Sequence, residues 1–475
     1  EGVLEGALSP ELAWQQLRAV LPAAPAPAAI HFARFELSFL RDWSQRFDEG
    51  SPFPLDAVCV HAIACRLYPD LPRRNLRALA GFLGHGLHLE RRSLGHVRAT
   101  AFIWRKLVET LAGRGIDTWP KLASWLASDE RPEKPRRRRY PLPPKSYRAL
   151  PDQPGVYRFL RSNGDVLYVG KATSLKKRVS SHFTKHSGAT ERALEMLTQV
   201  SEIAFTPTAT ALEAALLETG TIKQLNPPYN VQLVQGERGV WFASADFRSA
   251  RQEPDAEHRF GPLSSRFSLR ALGALVRLLA GEPSTAALRA ESVGAPTRFG
   301  PDETELSAGW AIFAERHLRQ LPADSSARRQ ALRIAQSLLA LSPEESEPTD
   351  DDAPKVWDPP RICRHLERAA AQSYRALRRS SWLCLLANSR VEFREPGAAS
   401  SGQITLQGAE LVDSVPTTYD RRATQLAFDA ARYDSLRILT TELKRILRDG
   451  GDVSISLSAS RVLHGAALAR LLRVV

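Results

Sequence analysis

Two β-prone runs hinged on Asn163-Gly164 constrain this chain more than any other feature of it. The first, Gly155 to Leu160, ends at Ser162-Asn163-Gly164-Asp165, and the second is Val166 to Val169. Asn and Gly both tolerate positive φ, so the stretch predicts a hairpin with a two-residue turn. In that register Phe159 faces Tyr168, and Tyr157 lies diagonally from Tyr168 on the same side. Two phenols then share one face. Taken alone, they read first as ordinary half-buried strand residues.

The neighbouring residues shift that reading. Lys171 follows the second strand, and Ser174 is placed to cap a helix over Leu175 to Phe183. Arg178 and His182 stand four apart on one face of it, beside an apolar stripe of Leu175, Val179 and Phe183. Thr210-Ala211-Leu212-Glu213 has the capping-box pattern, which starts a helix through Ile222 and gives Glu213 a structural role. Glu218, among Ala214, Ala215, Leu216 and Leu217, has no such role. Together these groups suit phosphodiester hydrolysis. A carboxylate can hold a hard divalent cation that keeps several waters. A guanidinium forks onto phosphate and stabilises gathering charge. A phenol or imidazole can position water or relay its proton.

The words Gly155-Val156-Tyr157 and Leu167-Tyr168-Val169-Gly170-Lys171, followed in order by Arg178, His182, Glu218 and Asn230, resemble the GIY-YIG nucleases. The form is that carried by the excinuclease subunit UvrC and its shorter relative Cho, and it covers about a sixth of the chain. The resemblance implies roles for the matching positions. Tyr157 would be general base or water positioner, Tyr168 its companion, and Arg178 the transition-state clamp. Lys171 would support the phosphate, Asn230 would orient the site, and Glu218 would be the one protein ligand of a single Mg²⁺ or Mn²⁺. UvrC-like domains usually have tyrosine where this chain has His182; imidazole does similar hydrogen-bond work with a different pH dependence.

Charge agrees with a polyphosphate partner. The net charge is +13, and fifteen Lys or Arg stand against three acids between Arg131 and Ser187, nearly the whole imbalance. Arg136, Arg137, Arg138 and Arg139, with Lys176 and Lys177, are therefore candidate DNA contacts, although such a run by itself is usually a solvated linker. The proline-dense stretch 129–149 predicts a semi-rigid basic spacer with no helix. Cys59, Cys65, Cys363 and Cys384 lack zinc-type spacing and read as reduced thiols. No apolar run is long enough to span a bilayer, which places the chain in the cytoplasm, at a bacterial nucleoid if it acts on DNA. It opens on Glu1-Gly2-Val3-Leu4-Glu5, without Met or a secretory leader, as a fragment would.

Residues 1–128 predict an α-rich piece, beginning with an amphipathic helix at Glu11 to Val20. His31-Phe32-Ala33-Arg34-Phe35-Glu36, Leu71-Pro72, Leu76, Leu79, Leu83-Gly84 and Arg91-Arg92-Ser93-Leu94-Gly95-His96 together resemble the later two-thirds of a DnaQ-like (DEDD) proofreading exonuclease. That family places carboxylates at Glu36 and His96 and a catalytic His at Arg91, after an opening Asp-x-Glu motif not found here. Two-metal chemistry needs several carboxylates. The resemblance therefore implies a degenerate exonuclease fold, retained as scaffold or DNA-binding surface.

The expected architecture is multidomain α/β. It comprises a DnaQ-like (RNase H-like) remnant at 1–128, a basic linker at 129–149 and a GIY-YIG α/β domain with a small antiparallel sheet at 150–241. A helical region at 242–341, an acidic linker at 342–360 and a mostly helical α+β region at 361–475 follow. In the last, strands are expected at Trp382 to Ala387, Val391 to Arg394 and Gln403 to Gln407, then helices at Thr424 to Arg448 and Ala466 to Val475. Arg259-Phe260-Gly261-Pro262-Leu263 resembles the segment that follows the nuclease domain in UvrC relatives. The expected function is metal-dependent DNA incision, damaged duplex included, in excision repair beside a loading helicase and away from membranes. A non-catalytic DNA-binding adaptor and a restriction or mobile-element nuclease are the alternatives.

Overall fold

The computed structural model describes residues 8–21, 26–86, 93–128, 139–184, 190–230, 239–289, 302–319, 325–341, 357–397, 401–412, 421–426, 428–458 and 461–475. Arg91, Arg136, Arg137 and Arg138 lie outside them, as does most of the expected acidic linker. The chain divides into two compact units, residues 1–214 with 224–234, and 215–223 with 235–475. Among the described residues no helix is long and apolar enough to cross a membrane.

The first unit opens with α1 (Pro10–Val20), where Ser9 caps Leu12 N and Pro10 takes the first helical position. β1 (Ala26–Ile30) and β2 (Leu55–Cys59) pair in parallel, and α2 (Ala33–Phe47) makes the crossover that a parallel pair requires. β1 is thus a strand that the α-rich reading of residues 1–128 does not expect. α3 (Val60–Leu67), α4 (Leu76–Phe82), α5 (Ser93–Ala112) and α6 (Trp119–Ala127) follow, closing over Ile63, Leu79, Ile103 and Leu107. Arg66 stacks on Trp125 and donates to the terminal carbonyls of α6, Leu126 O at 2.6 Å and Ser128 O at 2.9 Å.

α7 (Pro144–Arg148) sits within the stretch expected to be a helix-free spacer. Proline is well tolerated at a first helical position, where its missing N–H costs nothing. Leu142, Tyr147 and Leu150 are buried in the nuclease-like core, and Tyr147 stacks on Phe183 with ring centroids 4.8 Å apart. The end of the spacer is therefore domain. β3 (Gly155–Leu160), β4 (Val166–Ala172), α8 (Leu175–Thr184), α9 (Glu191–Leu197), β5 (Glu202–Pro207) and α10 (Ala211–Leu225) complete this part, with an antiparallel sheet in the order β4-β3-β5. α10 passes from the first unit into the residues counted with the second.

In the second unit β6 (Trp241–Ser244), β7 (Ala250–Arg251) and β8 (His258–Leu263) form an antiparallel sheet, β7-β6-β8, ahead of the expected helices. α11 (Arg270–Leu279), α12 (Ser284–Arg289), α13 (Glu303–His317), α14 (Ala327–Leu341) and α15 (Pro359–Leu386) share one apolar core. β9 (Arg390–Arg394), β10 (Gly402–Gln407), β11 (Glu410–Leu411), α16 (Arg421–Leu426), α17 (Ala430–Arg448), β12 (Asp452–Ser458), β13 (Arg461–His464) and α18 (Gly465–Val474) follow, with the sheet β11-β10-β9-β12-β13. The expected strand at Trp382 to Ala387 is instead the end of α15. A short apolar run does not distinguish a buried strand from a buried helix, and Trp382, Leu383, Cys384 and Leu386 are all buried. The expected helix over Thr424 to Arg448 is split: Asp429 accepts from Arg432 N and starts α17 afresh.

Tyr147→Ala tests the placement of α7. It should lower the stability of the nuclease-like part by about 3 kcal/mol, read as a lower urea midpoint; an unchanged midpoint would return this stretch to spacer.

Candidate active site

The hairpin forms, with a different turn. Arg161 N donates to Asp165 O and Gly164 N to Arg161 O, so three residues, Ser162 to Gly164, make the loop. Only Gly164 takes positive φ there, +87°, while the Asn163 side chain binds Asp165 N. A register shift after Phe159 absorbs the extra residue, and Phe159 pairs with Tyr168 as expected. Tyr157 pairs with Gly170, which leaves Tyr157 and Tyr168 on one face with ring centroids 6.1 Å apart. A Cβ on Gly170 would stand 2.6 Å from the Tyr157 hydroxyl. Glycine is what admits the phenol. Lys171 pairs with Val156 at the alternate pleat position and is exposed.

Ser174 Oγ accepts from Lys177 N at 3.1 Å and starts α8, whose stripe of Leu175, Val179 and Phe183 is buried as predicted. That fixes the opposite side of the helix. His182 Nε2 lies 2.8 Å from Tyr157 Oη, and its ring faces Phe159 and Tyr168 edge-on. Arg178, one turn earlier, is exposed, as are Lys176 and Lys177. Burial, with the Arg178 charge adding to it, lowers the His182 pKa to about 4. The imidazole is neutral at physiological pH. Tyr157 has no exposed surface, whereas Tyr168 and His182 are half-buried. The Tyr157–His182 pair therefore meets solvent through its imidazole.

Thr210 Oγ1 caps Glu213 N, but the Glu213 carboxylate reaches Ala209 N at 3.1 Å, so the helix start is secured one residue outside the expected box. α10 runs three residues beyond the expected end and carries Glu218 half-buried, four residues past the buried Ala214. Arg139 N binds Asp70 O, which leaves its side chain exposed.

Asn230 has a definite role. Its Oδ1 accepts from Val169 N at 3.0 Å and its Nδ2 donates to Val169 O at 2.9 Å. One amide thereby satisfies a residue on β4, an edge strand of the sheet. Beside it Tyr229 donates to Glu195 Oε1 and accepts from Gln199 Nε2, both at 2.6 Å, so its hydroxyl is held protonated, with its pKa raised by burial and by Glu195. Gln199 Oε1 accepts two bonds from the buried Arg161 guanidinium. The N-terminal part joins the same node: Asn75 Nδ2 donates to Glu195 Oε2 at 2.7 Å and Arg73 N to Thr198 Oγ1 at 3.2 Å. Sequence reasoning singled out none of Arg161, Glu195, Gln199 or Tyr229. A glutamate on α9 and a glutamine four residues later, in the turn that ends the helix, with buried neighbours, were the available signal.

The remaining predicted positions belong to the N-terminal part of the chain. Glu36 is exposed on α2 and His96 on α5, and both line a cavity of about 1590 Å³ with His31, His61, Phe32 and Trp104. Both ring nitrogens of the half-buried His31 are shielded from solvent without a hydrogen-bond partner, and burial lowers its pKa to about 4.

Residues 153–231 match the family model for the UvrC-like GIY-YIG domain. A protein of Mycobacterium tuberculosis named as a bifunctional exonuclease/endonuclease is 30% identical over 274 residues, 55% of this chain and 41% of its own. UvrABC system protein C of Alkalilimnicola ehrlichii is 44% identical over 140 residues, 27% of this chain and 22% of its own. That of Nitrosomonas europaea is 54% identical over 82 residues, 17% and 13%. The chain spans less than half the length of these relatives. The magnesium-bound GIY-YIG N-terminal endonuclease domain of UvrC from Thermotoga maritima is 32% identical, covering 18% of this chain and 93% of that one, with a TM-score of 0.17. The stretch that organises the sequence is thus a UvrC-like GIY-YIG domain.

The neutral His182 gives stability a pH dependence of known sign. The unfolded imidazole binds its proton near pH 6.5 and the folded one only near pH 4. Between those values the unfolded state holds more protons, so stability is full above pH 6.5 and falls as pH drops toward 4. His31 acts in the same direction. His182→Gln should make that fall shallower without abolishing it, measured as urea midpoints at pH 7 and 4.5.

Proposed function

We infer that the chain is a metal-dependent DNA endonuclease that hydrolyses one phosphodiester bond per encounter. The observation that carries this is the buried Tyr157 phenol held 2.8 Å from a neutral imidazole, with an exposed guanidinium one helical turn away. That arrangement pairs a water-handling group with a phosphate-handling one. A merely structural tyrosine would need neither.

The partly exposed His182 face and Tyr168 are where an attacking water would rest, with Tyr157 fixing the imidazole behind them. His182 enters the reaction without charge, so it can accept a hydrogen bond or a proton as the water attacks. Arg178 would fork onto the non-bridging phosphate oxygens and stabilise their charge as the bond breaks. Exposed Lys171, Lys176 and Lys177 would draw in the backbone. Asn230 contributes by position, since it holds β4 at the residue after Tyr168.

Glu218 enters by motif order and by its place on α10. Its helix start already engages Glu213, and a half-buried carboxylate is the hard oxygen donor that Mg²⁺ or Mn²⁺ takes. Among the described residues no group of three His, Cys, Asp or Glu is arranged to hold a metal. The reading has one carboxylate, with water and phosphate oxygens completing a single ion's shell. A bound ion would supply charge neutralisation at the phosphate and leaving oxygen.

The names of the UvrABC relatives support a place in a UvrABC-type system, and within it the role we propose is excision repair, with a loading helicase as partner and damaged duplex as substrate. We also propose that the N-terminal cavity hydrolyses nothing. Glu36 faces histidines there, where two-metal chemistry needs several acids. The domain boundaries that fit this reading are 1–128, a nuclease domain reaching back to about residue 140, and the C-terminal remainder.

Nicking of supercoiled and lesion-bearing DNA with Mg²⁺ is the test. Glu218→Gln should abolish it, and Arg178→Ala should slow it by about 10²- to 10³-fold, both variants retaining the wild-type circular dichroism. Undiminished nicking in Glu218→Gln would refute the assignment. Tight binding without cutting, even with an excision-repair helicase added, would make the chain an adaptor.

A further inference from the structure

The second unit carries a set of arginines that its own acids do not answer. Arg328, on the first turn of α14, lies over the rings of Phe260, at 4.5 Å, and Phe247, at 5.4 Å. Its Nε is buried without a hydrogen-bond partner. Arg259, exposed on β8 beside Phe260, is close enough to oppose its charge. Burying one guanidinium beside another is unfavourable unless an anion joins them.

The turn from β8 to α11 repeats the pattern. Arg266 and Arg270 sit on Phe267, their guanidinium carbons 4.5 and 3.8 Å from the ring centre. The turn is internally tied: Phe267 N donates to Ser265 Oγ at 3.2 Å, and Arg270 N to Phe267 O at 3.1 Å. The exposed ring therefore holds two like charges in place. Among the described residues none of these four arginines has an acidic partner, whereas nearby Arg248 and Arg277 are both paired with Glu282. Aromatic stacking leaves the guanidinium N–H edges directed outward, where they can fork onto phosphate oxygens.

We propose that Arg259, Arg266, Arg270 and Arg328 form a second nucleic-acid contact, by which the second unit grips the phosphodiester backbone. A nucleic-acid backbone fits better than a lone anion, because three of the four guanidinium groups rest on Phe260 and Phe267, two rings at successive points of the β8–α11 segment. Through this surface the second unit would hold the strand that the first unit acts upon. The inference rests on the nuclease reading for the identity of its ligand.

The test is the salt dependence of binding, in EDTA so that nothing is cut, for the full chain with fluorescein-labelled duplex and single-stranded oligonucleotides. Arg259→Gln/Arg266→Gln changes two exposed side chains. Arg394→Gln/Arg448→Gln, also exposed in the second unit, removes the same charge elsewhere. Each lost phosphate contact should flatten the log–log salt slope by about one. The first pair should flatten it by about two and weaken binding at least tenfold, with the second pair at wild type. Equal effects of both pairs would reduce the surface to general charge and overturn the proposal. So would an unaltered slope in the first pair. If inorganic phosphate binds saturably in calorimetry and the first pair abolishes that but leaves DNA binding intact, the site is for a small anion. A wild-type chain that binds neither oligonucleotide sinks the nuclease reading along with this one.

Discussion

The side-chain amide of Asn230 substitutes for a missing strand. β4 lies at the edge of its sheet, and an edge residue with free N–H and C=O groups can shift register or pair wrongly. Asn230 satisfies both groups of Val169. A one-residue slip there would send Tyr168 to the opposite face. Tyr229 secures the clamp in turn, tied to Glu195 and Gln199, and Gln199 also meets the hydrogen-bond demand of the buried Arg161 guanidinium. The hairpin chemistry depends on this arrangement. Asn230, Tyr229, Glu195 and Gln199, none of them on the hairpin, thus help to determine where the phenols point.

Most of the site was legible because its signals are local. Leu175, Val179 and Phe183 recur at helical spacing, Ser174 is a strong cap, and alternation in the strands sets which residues share a face. The Phe159–Tyr168 pairing survived a wrong turn type because an added loop residue and a bulge offset each other. The node around Glu195 was not legible. Its partners come from Asn75, Arg161 and Tyr229, and hydrogen bonds between distant side chains leave no periodic trace. Nor does a pattern of residue types reveal that Tyr157 is wholly buried while Tyr168 is not.

The same physics explains the misread elements. Trp382 to Ala387 is apolar without a period because the end of α15 is buried among several neighbours, and such a run fits a strand equally well. The α16–α17 break turns on a single cap, Asp429, inside an otherwise amphipathic stretch. Prolines at 141–144 mark a spacer by composition, yet one of them opens a helix whose tyrosine completes the core. Composition describes a segment's average, whereas burial is decided by single side chains.

Glu195 accepts hydrogen bonds from both parts of the first unit, Tyr229 on one side and Asn75 on the other. The nuclease-like part and the N-terminal piece are thus held by one shared carboxylate. Cut at the boundary that its motifs draw, that part would leave a carboxylate half satisfied and a seam of α9 open to water. The piece that packs as one body is thus longer than the stretch its motif words mark out.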